Sequence, residues 1–166
     1  MRTVFYQGVG DRLTQWDVDV NAATLTPRGS ISLPSNIQYV WPHPSRKFLF
    51  VSTSDAASGN APNPGTVHRL CAVRIAADGA LSSHGEPAIL PQRPIHHSID
   101  HSGTYALTCY NTPPNLTVHR LNADGTVGAL MPQPSDLDLG IYPHQILPMP
   151  ANRSVIMPAR GNRAEG

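Results

Sequence analysis

The chain is 166 residues long, 14% of them charged, and its net charge is +1 with histidine neutral. That balance, with no basic run, speaks against nucleic acid or an anionic membrane surface as a partner. The 17 prolines and 13 glycines are spread along the whole length, and long helices are excluded in favour of short strands joined by turns.

In chain order, Thr3-Val4-Phe5-Tyr6 reads as a strand at once. Residues 16–25 form a strand running into a turn, and residues 29–33 close the first repeat. Residues 37–41 alternate in the manner of a half-buried strand. The turn string Pro42-His43-Pro44-Ser45-Arg46-Lys47 leads into Phe48-Leu49-Phe50-Val51. Residues 55–65, rich in Ala, Ser, Asn, Pro and Gly, read as an inserted surface loop. Residues 73–81 and 119–127 match at an offset of 46, each turning on Asp-Gly, where glycine supplies the positive φ of a tight hairpin. The string Thr-Val-His-Arg-Leu at 66–70 and 117–121 is out of register with those turns by five residues, and reads as coincidence plus an insertion. Residues 87–90 and 127–131 close the second and third repeats, and 95–99 and 144–147 open the third and fourth.

Setting Phe48, Tyr105 and Ser154 in register gives steps of 57 and 49 residues. Short strands recurring with a period of roughly 40–50 residues are the mark of a propeller blade. The expected fold is therefore all-β: a partial β-propeller over residues 1–166, about three and a half four-stranded blades, with repeats near 1–36, 37–93, 94–141 and an incomplete 142–166. Propellers close with about four to eight blades. The remaining repeats are expected in a further C-terminal segment or in a second copy, so self-association completing the ring is one expectation.

The start lacks the apolar stretch of a secretory signal and no run is long enough to span a membrane, which makes a cytoplasmic location the expectation. Cys71 and Cys109 sit in apolar runs without metal-ligand spacing and read as buried free thiols.

Eight histidines are many for this length, and His96, His97 and His144 fall where inner strands begin. Loops entering inner strands ring one end of a propeller channel, so His96 and His144 are expected to face one cavity, with Arg93 from the loop before His96. Gln38 and Gln145 are further candidate substrate contacts. Adjacent His96 and His97 point to opposite faces of a strand and cannot act as a pair. Three roles stay open for these imidazoles: backbone hydrogen bonding, acid–base work near neutral pH, and metal binding, for which no ligand pair of recognised spacing is present. Arg160, beside Gly161-Asn162, is placed to grip a carboxylate or phosphate. No nucleophile elbow, phosphate loop or acidic dyad competes.

The strings Ile95-His96-His97-Ser98-Ile99-Asp100-His101-Ser102-Gly103 and Tyr142-Pro143-His144-Gln145-Ile146-Leu147-Pro148 resemble consecutive repeats of the seven-bladed, 6-phosphogluconolactonase-like propellers, a family related to fungal carboxymuconate cyclases. The resemblance covers essentially the whole chain. It implies hydrolysis of a sugar lactone, with a small-molecule lactone or sugar acid as ligand, or alternatively muconate lactonisation. A non-catalytic binding scaffold is the rival from another class. By position, the resemblance would give proton handling to His144 and His96 and charge stabilisation to Arg160, with no metal or other cofactor. Family members commonly carry Asp-Leu-Gly where this chain has Ala159-Arg160-Gly161.

Overall fold

A computed structural model describes residues 3–57 and 63–161. Its strands are β1 (Thr3–Val9), β2 (Arg12–Asp19), β3 (Thr24–Ser32), β4 (Asn36–Pro42), β5 (Phe48–Ser54), β6 (His68–Ile75), β7 (Leu81–Ser83), β8 (Ala88–Ile89), β9 (His96–Ile99), β10 (Tyr105–Asn111), β11 (Pro114–Leu121), β12 (Val127–Met131), β13 (Leu147–Pro148) and β14 (Val155–Ile156). No helix occurs among the described residues, and the fold is an all-β propeller arc.

Four antiparallel sheets follow one another: β1-β2-β3, then β4-β5-β6 with β7 and β8 along its outer side, then β9-β10-β11-β12, then β13-β14. In the second and third sheets the chain starts at the inner strand and steps outward. Three turns repeat atom for atom where those inner strands end. His43, Asp100 and Met149 donate N–H to the carbonyls of Phe48, Tyr105 and Ser154 at 2.9, 3.0 and 2.9 Å. The left-handed residue of each turn is Arg46, Gly103 or Asn152, at φ 58°, 73° and 55°. The register placing Phe48, Tyr105 and Ser154 together is thus the register of the fold.

The Asp-Gly turns also superpose, with Gly79 at φ 86° and Gly125 at φ 88°. Arg74 pairs with Phe48 and Arg120 with Tyr105, so the repeat partner of Arg120 is Arg74 rather than Arg69. The repeated pentapeptide therefore has no structural counterpart. One expectation needs correction: the closing strand at 29–33 is not a separate element. β3 runs unbroken from Thr24 to Ser32, through Pro27 opposite Trp16 at a bulge. It is an outer strand with one free edge, where a missing N–H costs no ladder bond.

Each sheet buries its faces only against its neighbours. Leu13, Leu49, Val51, Cys71 and Val73 fill the space between the first and second sheets. Phe50, Leu70, Ala106, Tyr110 and Leu121 fill the space between the second and third, and Leu107, Cys109, Val118 and Ile146 that between the third and fourth. Phe50 and Tyr110 are 0% exposed, and burial of such rings is worth about 1.5–3 kcal/mol each. Both cysteines are free and buried. Burial pushes their thiols up to about 12 for Cys71 and about 11 for Cys109, so neither is reactive.

The second and third sheets are also joined by a polar tie inside the core. His97 is 0% exposed. Its Nε2–H donates to the Phe50 carbonyl at 3.0 Å, and Nδ1 accepts from the Ser52 hydroxyl at 3.1 Å. At the rim, His43 Nε2 donates to the Gly103 carbonyl at 3.1 Å, and Asn152 Nδ2 donates to Asp100 Oδ2 at 2.8 Å.

Burial pushes the His97 imidazole from the ordinary 6.5 down to about 3. Between those values the unfolded chain binds a proton that the folded one refuses. The contribution to stability is therefore complete above about pH 6.5 and lost as pH falls toward 3. His97→Leu leaves the Ser52 hydroxyl without this partner and removes the side-chain bond to the Phe50 carbonyl, and is expected to cost about 1–3 kcal/mol. The variant should also flatten the acid limb of the stability profile. Urea unfolding across a pH series measures both effects.

Candidate functional site

The loops entering inner strands β4, β9 and β13 and the loops leaving β5 and β10 meet at one end of the arc. They enclose a cavity of about 880 Å³ whose walls include Gln38, Asn63, Arg93, Asn111, Thr112, Tyr142, His144 and Arg160. Among the described residues, none that lines it is acidic.

On one wall, Gln38 of β4 accepts a 2.8 Å bond from Arg93 Nε and donates from Nε2 to the Asn36 carbonyl at 3.1 Å. These bonds lock the amide and hold Arg93 across from the neighbouring sheet. They use only Nε, leaving the terminal nitrogens of the guanidinium for a ligand.

The opposite wall is built by a short antiparallel pairing of 141–144 with 158–161. Pro143 bridges Ala159. Arg160 N–H donates to the Tyr142 carbonyl at 2.9 Å, and His144 N–H to the Pro158 carbonyl at 3.0 Å. The Arg160 guanidinium lies over the Tyr142 ring, with Cζ 5.4 Å from its centroid. Tyr142 itself is left-handed at φ 56°. Arg160 is thus held by its pairing with Tyr142; Asn162, half of the turn expected to place it, lies outside the described residues. His144 and Arg160 are exposed to the cavity, as an incoming solute requires.

Four of the candidate residues, Gln38, Arg93, His144 and Arg160, come together in this cavity. His96 and Gln145 are not on its wall. His96 is 4% exposed, packed against Tyr39 and Trp41 with ring centroids 4.2 and 5.6 Å away. Its Nδ1 accepts the Ile146 N–H at 3.3 Å, which ties the His144 loop to β9. Burial, then the proximity of His144, pushes the His96 imidazole down to about 4. It is therefore a neutral packing group that positions the His144 loop.

Tyr142, Asn111 and Thr112 are site residues that sequence reasoning did not single out. Tyr142 carried a faint signal, an aromatic immediately before Pro143-His144. Asn111 and Thr112 carried none, because only packing of the third sheet's turn onto the cavity reveals them. Among the described residues no group of three His, Cys, Asp or Glu side chains is arranged to hold a metal ion.

Radially stacked antiparallel sheets, entered from their inner strands and carrying a cavity at that end, define a β-propeller. The chain belongs to the lactonase family of seven-bladed β-propellers, whose model it matches over residues 3–162. It is 34% identical over 142 residues to a 6-phosphogluconolactonase of Cronobacter sakazakii, covering 81% of this chain and 38% of that protein. In fold it is similar to the periplasmic gluconolactonase of Pseudomonas aeruginosa, with a TM-score of 0.67 at 17% identity over 94% of this chain and 47% of that one. It is also similar to a Lactobacillus plantarum protein, with a TM-score of 0.69 at 14% identity over 96% of this chain and 48% of that one. The chain therefore spans half or less of the length of these relatives.

The packing makes a specific demand on His96. With Nδ1 accepting from Ile146, the proton sits on Nε2, and the ring stays neutral until about pH 4. Nitrogen-15 NMR should show the Nε2–H tautomer at neutral pH and no titration near 6.5; a midpoint near 6.5 would contradict the burial.

Proposed function

We propose that the cavity binds an anionic sugar lactone and hydrolyses its ester. The observation that carries this reading is the pairing of Arg93 and Arg160 with His144 in one cavity, with no acidic residue in its lining among the described residues. Two uncompensated guanidinium groups favour a ligand bearing phosphate or carboxylate. The 34% identity to a 6-phosphogluconolactonase supports a phosphorylated sugar lactone as the ligand.

In this mechanism His144 takes a proton from water as the water oxygen bonds to the lactone carbonyl carbon. A guanidinium steadies the negative charge that develops on the carbonyl oxygen. Collapse of that intermediate breaks the ring C–O bond, and His144 returns its proton to the departing ring oxygen. One lactone and one water become one hydroxy acid. Arg160, on the same short pairing as His144, is the group placed for the oxyanion. In this reading Arg93, held by its bond to Gln38, takes the distal phosphate. The related cyclase chemistry is a different step: a carboxylate oxygen of an unsaturated diacid adds to its carbon–carbon double bond while a proton is delivered to the neighbouring carbon, with His144 as the candidate proton donor.

The test is turnover of 6-phosphogluconolactone and of unphosphorylated gluconolactone, each corrected for spontaneous hydrolysis. His144→Ala should lower kcat by about 10²–10⁴-fold, the range for a lost acid–base group. Arg93→Ala should raise KM for the phosphorylated substrate by about ten-fold or more, as loss of a charged hydrogen bond would. It should have little effect on gluconolactone. Wild-type chain that binds the phosphorylated ligand yet leaves it at its spontaneous rate would replace the enzyme reading with a binding scaffold. Product formed from a muconate instead would favour the cyclase.

A further inference from the structure

Among the described residues, the cavity is lined by four carboxamide side chains: Gln38, Asn63, Gln92 and Asn111. Three of them are engaged within the fold. Gln38 accepts from Arg93 Nε at 2.8 Å and donates to the Asn36 carbonyl at 3.1 Å. Asn63 Oδ1 accepts the Gly65 N–H at 3.0 Å. Gln92 Nε2 donates to the Pro113 carbonyl at 2.7 Å. Asn111 makes no side-chain bond to any described residue, so both ends of its amide are uncommitted.

Asn111 is the last residue of β10, opposite Pro114 in the hairpin with β11. Side chains alternate along a strand, which places Asn111 on the face of Leu107 and Cys109. That face packs on Ile146, two residues beyond His144. On the other side, the Gln92–Pro113 bond ties the loop of Arg93 to the turn just beyond Asn111. The half-buried amide thus belongs to the stretch of wall that joins the Arg93 loop to the His144 segment.

We infer that Asn111 reads a vicinal pair of hydroxyls on the ligand. The cavity would then select a polyhydroxylated anion over a deoxygenated one of the same length and charge. This inference rests on the anionic sugar reading above and adds what the guanidinium groups do not supply. They grip charge alike whether the carbon chain that bears it is hydroxylated or bare.

A carboxamide presents an acceptor oxygen and a donor NH2 side by side. One hydroxyl of a diol can donate to the first while its neighbour accepts from the second. Gln38 has both ends engaged, and Asn63 and Gln92 have one each, so Asn111 is the amide that offers the pair intact. A bare methylene chain in the same place would strip water from the amide and return no bond. That penalty is what makes a hydrogen-bonding site selective.

Calorimetric titration of the whole chain tests this without any turnover. The ligands are 6-phosphogluconate and 6-phosphohexanoate, which has the same length and charged groups but no hydroxyls. Wild type is expected to bind 6-phosphogluconate about ten-fold or more tightly, the range for two hydrogen bonds. Asn111→Ala should cut that preference to about two-fold or less, the scale of a weak residual contact. It should leave 6-phosphohexanoate binding as it was, which also shows that the variant folds. Arg93→Ala should weaken both ligands and keep the preference. No preference in wild type, a preference that survives Asn111→Ala, or loss of both ligands together in that variant would overturn the inference. If both ligands bind equally and both depend on Arg93, the anionic reading stands and the role of Asn111 falls. If neither binds, both fall.

Discussion

His97 joins the second sheet to the third, and the rest of the arrangement depends on that registration. A four-stranded blade satisfies its own backbone but cannot bury its two faces alone, so position and angle are set by what crosses between blades. Apolar contact is tolerant of small slides. The two bonds from the His97 ring, to a carbonyl and a hydroxyl of β5, are not. They fix β9 against β4 and β5, and β9 in turn carries His96, whose ring holds the loop of His144. Two adjacent histidines, both against Tyr39 of β4, thus tie β9 to the sheets on either side of it.

The candidate site inherits its geometry from this stacking. Its groups come from the second, third and fourth sheets: Gln38 from β4, Arg93 from the loop before β9, and His144 and Arg160 from the paired segments 141–144 and 158–161. Gln38 reaches from β4 to orient Arg93, while the pairing around Pro143 and Ala159 carries His144 and Arg160 on one wall. The result is a concentration of positive charge with no acidic group in the lining among the described residues. A site of this kind selects first for charge on its ligand.

Two kinds of residue carried the fold into view before any coordinates. Asp78-Gly79 and Asp124-Gly125 announced hairpins because few residues adopt their positive φ, and the runs beginning at Phe48, Tyr105 and Ser154 recurred at steps of 57 and 49 residues. Other features were opaque. Residues 29–33 read as a separate closing strand, yet β3 runs on from Thr24 through Pro27, because an outer edge tolerates a residue without N–H. His96 read as a cavity residue, yet it is closed off by Tyr39 and Trp41 from the sheet before it.

The amino-acid order alone thus determined what near neighbours decide: turn types, strand alternation, the repeat and therefore the propeller architecture. Those depend on backbone sterics and polarity over a few residues at a time. Only the tertiary structure decided which histidine faces solvent and which arginine is clamped. Each of those outcomes depends on a side chain from another blade, some 45–60 residues away in most contacts, whose approach no local pattern encodes.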